Sequence, residues 1–214
     1  MDLRLIGAKV TEAERLAIHA AVPEAEIEIR SGRAVAGGHR ARSLRHLLLP
    51  ALAAVQSEIG WISPGAIDEV ARRLAVPPAD VYSVATFYAL LSVEPRPARV
   101  AHVCDDSACR ATQGERVLSE LEDRDDVVPS PCLGQCDFGS AAFIQRAGEP
   151  DRVIAPATAF AIDAALRGEE PSVGPPSVPR RSIDILDRIG TVESSSLDSY
   201  RLHGGYAALE RALE

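Results

Sequence analysis

Lysine is almost missing from this chain: Lys9 is the only one, and arginine carries nearly all of the remaining positive charge. Aromatic residues are also scarce, at 4% with a single Trp, too few for a stacking platform that reads single-stranded nucleic acid. Basic residues number 23 against 31 acidic ones, and the net charge of −8 argues against a nucleic-acid or anionic-membrane partner. No run approaches the ~18–20 apolar residues that cross a bilayer. The opening Met1-Asp2-Leu3-Arg4 lacks the basic region and apolar stretch of a secretory signal. Catalytic triads, phosphate-binding loops and paired general-acid carboxylates are not visible either. These absences predict a cytoplasmic chain with no direct membrane insertion.

What is present is a globular composition. With 214 residues, 46% hydrophobic and 25% charged, the chain can bury a proper core and is not a disordered polymer. Residues 1–43 read as an N-terminal extension, with Thr11 and Glu14 forming a capping box for a helix through about Val22. Ser31 to Gly38 reads as a loop. Residues 44–95 are strongly helical. Leu44, Leu47, Leu48, Leu52 and Val55 recur at helical spacing, interrupted by Pro50, which predicts a bend or break. Ser63-Pro64 starts a second helix with Ile67, Val70, Ala71 and Leu74 on its apolar face. Pro77-Pro78 starts a third, with Val81, Val84, Ala85, Tyr88 and Leu91 inward. A small helical bundle follows.

Residues 97–168 change period. Val100 and His102 to Cys104 read as a strand, residues 112–123 as an amphipathic helix, and Val127-Val128 as a second strand leading to Cys132. Ala142 to Ile144 and Arg152 to Ile154 read as a hairpin, and Pro156 to Leu166 as a closing helix. That order predicts an α/β (α+β) fold, the helical bundle followed by a thioredoxin-like layer. Residues 169–182 are a proline-rich linker, and residues 183–214 are a last helical segment carrying Gly204-Gly205.

The four cysteines all fall in the thioredoxin-like region. Four residues separate Cys104 from Cys109 and three separate Cys132 from Cys136. Each pair follows a predicted strand, so each belongs on a loop at a strand end. If those strands are parallel neighbours, the loops meet at one edge of the sheet. A reducing compartment favours metal ligation or redox chemistry there over structural disulfides. Structural zinc favours pairs spaced by two residues, whereas a [2Fe–2S] rhombus needs two thiolates per iron and suits wider loops. Zinc, a redox disulfide and inert buried cysteines stay open as alternatives. A Rieske site would need two histidines, and His102 has no counterpart near the second pair. The C-x-x-C spacing of a thiol-reducing enzyme is missing. Ser107, Ala108 and Leu133-Gly134-Gln135 would let backbone amides approach the sulfurs, and Asp105-Asp106 reads as a solvated acidic loop. A helix–turn–helix DNA binder over 66–88 is disfavoured because no Arg or Lys lies between Asp80 and Leu91. Trp61, Phe87 and Tyr88 are then core or interface residues.

The residues Gly60-Trp61-Ile62-Ser63-Pro64, Ala66-Ile67, Val76-Pro77-Pro78 and Val84-Ala85-Thr86-Phe87-Tyr88 form a recognisable series. It continues with Val103-Cys104 to Cys109 and Cys132-Leu133-Gly134-Gln135-Cys136-Asp137. The series resembles the thioredoxin-like [2Fe–2S] subunit of respiratory complex I (NADH dehydrogenase), a module also found in NAD-reducing hydrogenases and NAD-dependent formate dehydrogenases. The resemblance implies an electron carrier with Cys104, Cys109, Cys132 and Cys136 as [2Fe–2S] ligands. FMN and NAD(H) would sit only in a partner flavoprotein, docked on the helical bundle. Further iron–sulfur subunits would complete a complex peripheral to the inner face of the membrane. Two departures bear on the loops: the span from Cys109 to Cys132 is short for the family, and Gly139-Ser140 stands where Ala-Pro is common. The tail, with Ile189-Gly190, Ser196 to Tyr200 and Gly204-Gly205-Tyr206-Ala207-Ala208-Leu209, resembles the start of the flavoprotein subunit of the same complex, as in a fusion of the two.

Overall fold

Thr11 opens the first helix, α1 (Glu12–Ala21), as its sequence predicts. Its hydroxyl accepts from the Glu14 N–H, and the buried Glu14 carboxylate accepts from the Thr11 N–H at 2.7 Å, so two helix-end donors are satisfied reciprocally. The structure, a computed structural model, describes residues 8–22, 44–169, 191–193 and 195–214. The loop expected over 31–38, the proline-rich linker from residue 170 onward, and residues 183–190 lie outside these. Two compact units emerge, Met1–Pro176 and Ser177–Glu214.

In the first unit, a 3-10 turn at Arg45–Leu47 leads into α2 (Leu48–Ile59). Pro50 neither bends nor breaks that helix. It falls in the first turn, where backbone N–H groups have no partner within the helix. Gly60 closes α2 in the left-handed conformation. Helix α3 (Pro64–Leu74) starts at Ser63, whose hydroxyl accepts from the Ala66 N–H at 3.1 Å, and α4 (Pro78–Phe87) follows. Ile18 and Val22 share one core with Leu52, Val55, Val70 and Leu74. Arg73 donates to the Val22 carbonyl at 3.1 and 2.6 Å, finishing α1 from the side of α3. The N-terminal stretch therefore supplies a helix to the bundle core, which its own short apolar pattern did not reveal. Helix α4 is shorter than expected, and Tyr88 and Leu91 lie past its end. Phe87 is 78% exposed and Tyr88 is exposed beside it, so neither is a core residue. Their rings meet edge to face at 5.1 Å.

Strand β1 (Arg99–Cys104) is central in a four-stranded mixed sheet. It pairs in parallel with β2 (Val127–Ser130) and antiparallel with β3 (Ala142–Arg146), which carries β4 (Arg152–Ile154) on its far side. The hairpin and the parallel neighbours match the sequence reading. The helix expected over 112–123 is present as the shorter α6 (Gly114–Glu120), a further short helix, α5 (Ser107–Arg110), precedes it where a loop was expected, and the closing helix α7 (Ala159–Leu166) begins at its Thr158 cap. Helices α6 and α7 pack Val117, Leu121, Ile162 and Leu166 on the sheet face formed by Ala101, Val103, Ala142 and Ile144. β2 is an edge strand with Pro129 at its third position.

The opposite sheet face carries His102 and Gln145 and meets the helical bundle through Arg96. The Arg96 Nε donates to the Gly60 carbonyl at 2.6 Å, and its guanidinium also donates to Gln145 Oε1. Gln145 in turn accepts from His102 Nε2 at 2.9 Å and donates to the Leu90 carbonyl at 3.0 Å. Burial of His102, against the pull of its Gln145 bond and helped by the nearby Arg96 cation, pushes its pKa down to about 4.

In the second unit, α8 (Leu197–Leu202) is capped by Ser196, whose hydroxyl accepts from the Ser199 N–H at 3.1 Å, and α9 (Ala207–Leu213) follows. Tyr200 and Tyr206 pack edge to face at 5.2 Å, while Leu202 and Leu213 are exposed.

The His102 shift predicts a pH dependence. The unfolded imidazole titrates near the ordinary value of about 6.5, so the unfolded chain gains a proton that the folded chain refuses. This contribution to stability is complete above about pH 6.5 and is lost as pH falls toward about 4, by up to about 3 kcal/mol. Urea unfolding between pH 7 and pH 4.5 should show this fall in the wild type and a smaller one in His102→Gln.

Candidate metal centre

Cys104 is the last residue of β1, and its N–H donates to the Ala141 carbonyl at 2.9 Å. The chain then turns at Asp106, whose carboxylate accepts from the Ser107 N–H at 2.6 Å and caps α5, the short helix that holds Cys109. The first pair is thus on a strand end and a helix, not on a loose loop. Both sulfur-bearing residues are buried, at about 1% exposure, beside Ala141 and Ala155, with Leu133 and Phe138 packed against them.

The second pair follows β2. Cys132 and Cys136 lie on an exposed turn that enters a 3-10 segment at Cys136–Phe138. Their sulfurs are 3.4 Å apart, and the Gly134 N–H points at the Cys132 sulfur at 3.5 Å. The parallel alignment of β1 and β2 brings both pairs to the same end of the sheet, as the strand order predicts.

Electrostatics tie the pairs together. Burial, then the neighbouring Cys104 sulfur and more weakly Cys136, push the Cys109 thiol up to about 11. Cys136 is raised first by its bond to Cys132 and also by Cys104. A cation bound here would have to displace those protons. His102 is not part of the set, being held by Gln145 on the bundle side.

Three residues whose structural roles sequence reasoning passed over hold the two segments in place. The Thr112 hydroxyl donates toward the Cys109 carbonyl at 2.9 Å and toward the Gly139 carbonyl, bridging the first cysteine segment to the second. Asp106 is exposed, as its reading as a solvated acid has it, and is also a cap. The Ser107 N–H, with help from the Cys132 backbone amide, holds its carboxyl below the usual carboxylate range. Gly114 starts α6 so close to the cysteine backbone that a Cβ would stand 2.9 Å from the Cys109 carbonyl oxygen and 3.0 Å from that of Cys104. A glycine soon after the second cysteine, at a helix start, was the available signal. The Gly139-Ser140 departure also has a structural use. The Ser140 hydroxyl donates to the Ala157 carbonyl at 2.8 Å and accepts from the Ala157 N–H at 3.0 Å.

A mixed sheet that delivers one buried and one open cysteine pair to a single end defines a small α+β protein built around a thiol-rich centre. Residues 37–155 match the family model of the thioredoxin-like [2Fe-2S] ferredoxin, and the chain belongs to that family. It is 31% identical over 119 residues to the NADH-quinone oxidoreductase E-subunit of Pseudomonas aeruginosa, covering 50% of this chain and 72% of that protein. Against the corresponding NADH-quinone oxidoreductase protein of Escherichia coli it is 31% identical over 121 residues, covering 50% of this chain and 73% of that protein. The NADH-quinone oxidoreductase subunit 2 of Thermus thermophilus is 30% identical over 119 residues, 50% of this chain and 65% of that protein.

The family implies a [2Fe–2S] cluster, and the donor set fits one. Its two irons each take two thiolates, and the sulfurs come in twos.

Two substitutions test the scaffold. Gly114→Ala should push α6 off the cysteine backbone and cost about 1–3 kcal/mol in urea unfolding. Thr112→Val should leave the far-ultraviolet circular dichroism unchanged while amides 133–139 exchange with deuterium several-fold faster; equal rates would show that the bridge does not hold the second turn.

Proposed function

We propose that this chain is the electron-transfer [2Fe–2S] subunit or domain of an NADH dehydrogenase-type complex, exchanging single electrons with FMN of a partner flavoprotein. The observation that carries the reading is the meeting of two cysteine pairs at one sheet end in a member of this ferredoxin family. Cys104 and Cys109 would hold the cluster from the buried side and Cys132 and Cys136 from the open side. The cluster, when bound, supplies a one-electron redox couple. The protein's part is to fix four thiolates, to aim the Gly134 N–H at one sulfur and to keep water from the inner pair. The runner-up, a zinc-stabilised interaction module on the same cysteines, is disfavoured by the family, whose model is that of a [2Fe-2S] ferredoxin.

The names of the relatives support NADH-quinone oxidoreductase as the kind of assembly. Further iron–sulfur subunits would be its neighbours there. FMN and NAD(H) belong to the flavoprotein, so the chain alone should not oxidise NADH. Among the described residues no helix is long and apolar enough to cross a membrane, in keeping with a peripheral place on the cytoplasmic side. The exposed Phe87–Tyr88 pair at the end of α4 suits the helical bundle, residues 44–95, as the docking face for the flavoprotein. The segment 183–214 is read as the start of a flavoprotein-like module joined by the linker at 169–182.

Anaerobically purified protein should contain two irons and two sulfides per chain, and Cys104→Ser or Cys136→Ser should impair assembly of the cluster. Stoichiometric zinc in iron-replete cells, or NADH-dependent dye reduction by the chain alone, would overturn the reading. Amides in 197–213 should gain protection from deuterium exchange when a flavoprotein of the complex is added; unchanged exchange would sink the assignment of the tail.

A further inference from the structure

The two cysteine pairs differ in access far more than in spacing. Cys104 and Cys109 are closed in by Ala141, Ala155, Leu133 and Phe138. Cys132 and Cys136 are exposed, with their sulfurs already 3.4 Å apart. A disulfide needs about 2.05 Å, so the outer sulfurs must close by only about 1.4 Å. The intervening turn has room to give: a Cβ placed on Gly134 would meet nothing within 4 Å.

Thiol–disulfide exchange requires the attacking thiolate to reach a sulfur of the incoming disulfide, with the leaving sulfur on its far side. At the outer pair solvent allows that approach, and at the inner pair the packed side chains deny it. We infer that Cys132 and Cys136 form a thiol–disulfide site of their own. In the chain without its cluster, a low-molecular-weight disulfide such as glutathione disulfide oxidises this pair and leaves Cys104 and Cys109 reduced.

The step balances. One outer thiol loses its proton to solvent and attacks a sulfur of glutathione disulfide, breaking that S–S bond and releasing one glutathione thiolate, which takes up a proton. The second outer thiol, deprotonated in turn, attacks the mixed disulfide and expels the second glutathione. Two protein thiols become one disulfide, and the two electrons reside on two molecules of glutathione. The consequence for cofactor loading rests on the ligand assignment proposed above: a chain locked in this bond withholds two of its four thiolates.

The test uses the full chain from iron-starved cells, free of cluster, incubated anaerobically with glutathione disulfide, then alkylated in denaturant and mapped by mass spectrometry. The expected result is a Cys132–Cys136 bond with Cys104 and Cys109 alkylated. In Cys136→Ser, a glutathione adduct should remain on Cys132. A Cys104–Cys109 bond, a bond between the pairs, or four free thiols would overturn the inference without touching the ligand assignment. The cluster-loaded chain should form the bond at least tenfold more slowly. Equal rates with the visible absorption retained would instead overturn the ligand assignment and leave the thiol–disulfide site standing.

Discussion

The thiol-rich end depends on β1 being held from both sides in a fixed register. Parallel pairing sets Cys104 opposite Ser130, and antiparallel pairing sets Val103 opposite Ala142. Two backbone bonds finish the strand, from the Cys104 N–H to Ala141 and from the Asp105 N–H to Ser130, each 2.9 Å. Cys132 therefore emerges two residues beyond the point where β2 meets Cys104. A slip of one residue would turn Cys104 to the opposite face, among the residues that pack α6 and α7, and part the pairs.

Short polar bonds then hold what the sheet has aligned. Thr112 reaches from the first cysteine segment to Gly139 in the second, and Ser140 fastens the exit of that segment to Ala157. On the other side of β1, Arg96 joins the Gly60 carbonyl, at the end of α2, to Gln145 and thereby to His102. Ser140 and His102 are buried, so a missing partner at either would leave a costly orphan. The helical bundle and the sheet are accordingly joined by a polar seam.

Much of this architecture was legible because it is written in local signals. The Thr11–Glu14 box, the Ser63-Pro64 start, the alternation at Val100 to Cys104 and the β3–β4 hairpin all have short-range causes. The cysteine spacing and the family resemblance marked the centre itself. What stayed hidden arises between segments. Ile18 becomes core only because α2 and α3 cover it, and Thr112 becomes a bridge only when Gly139 arrives beside it. Tyr88 misled because an aromatic residue at helical spacing reads as interior, whereas α4 ends just before it. The capping role of the exposed Asp106 was missed because it depends on a four-residue helix too short to announce itself by periodicity.

The edges of the sheet carry one more consequence. β2 places Pro129, which has no N–H to offer, in the open edge on one side, and β4 on the other side is only three residues long. A strand from another chain could find few free donors in line at either border. The fold can thus leave a reactive, thiol-bearing end open to solvent without also presenting a template for fibrous growth, a protection that would matter most while the chain waits, newly made, for whatever is to cover it.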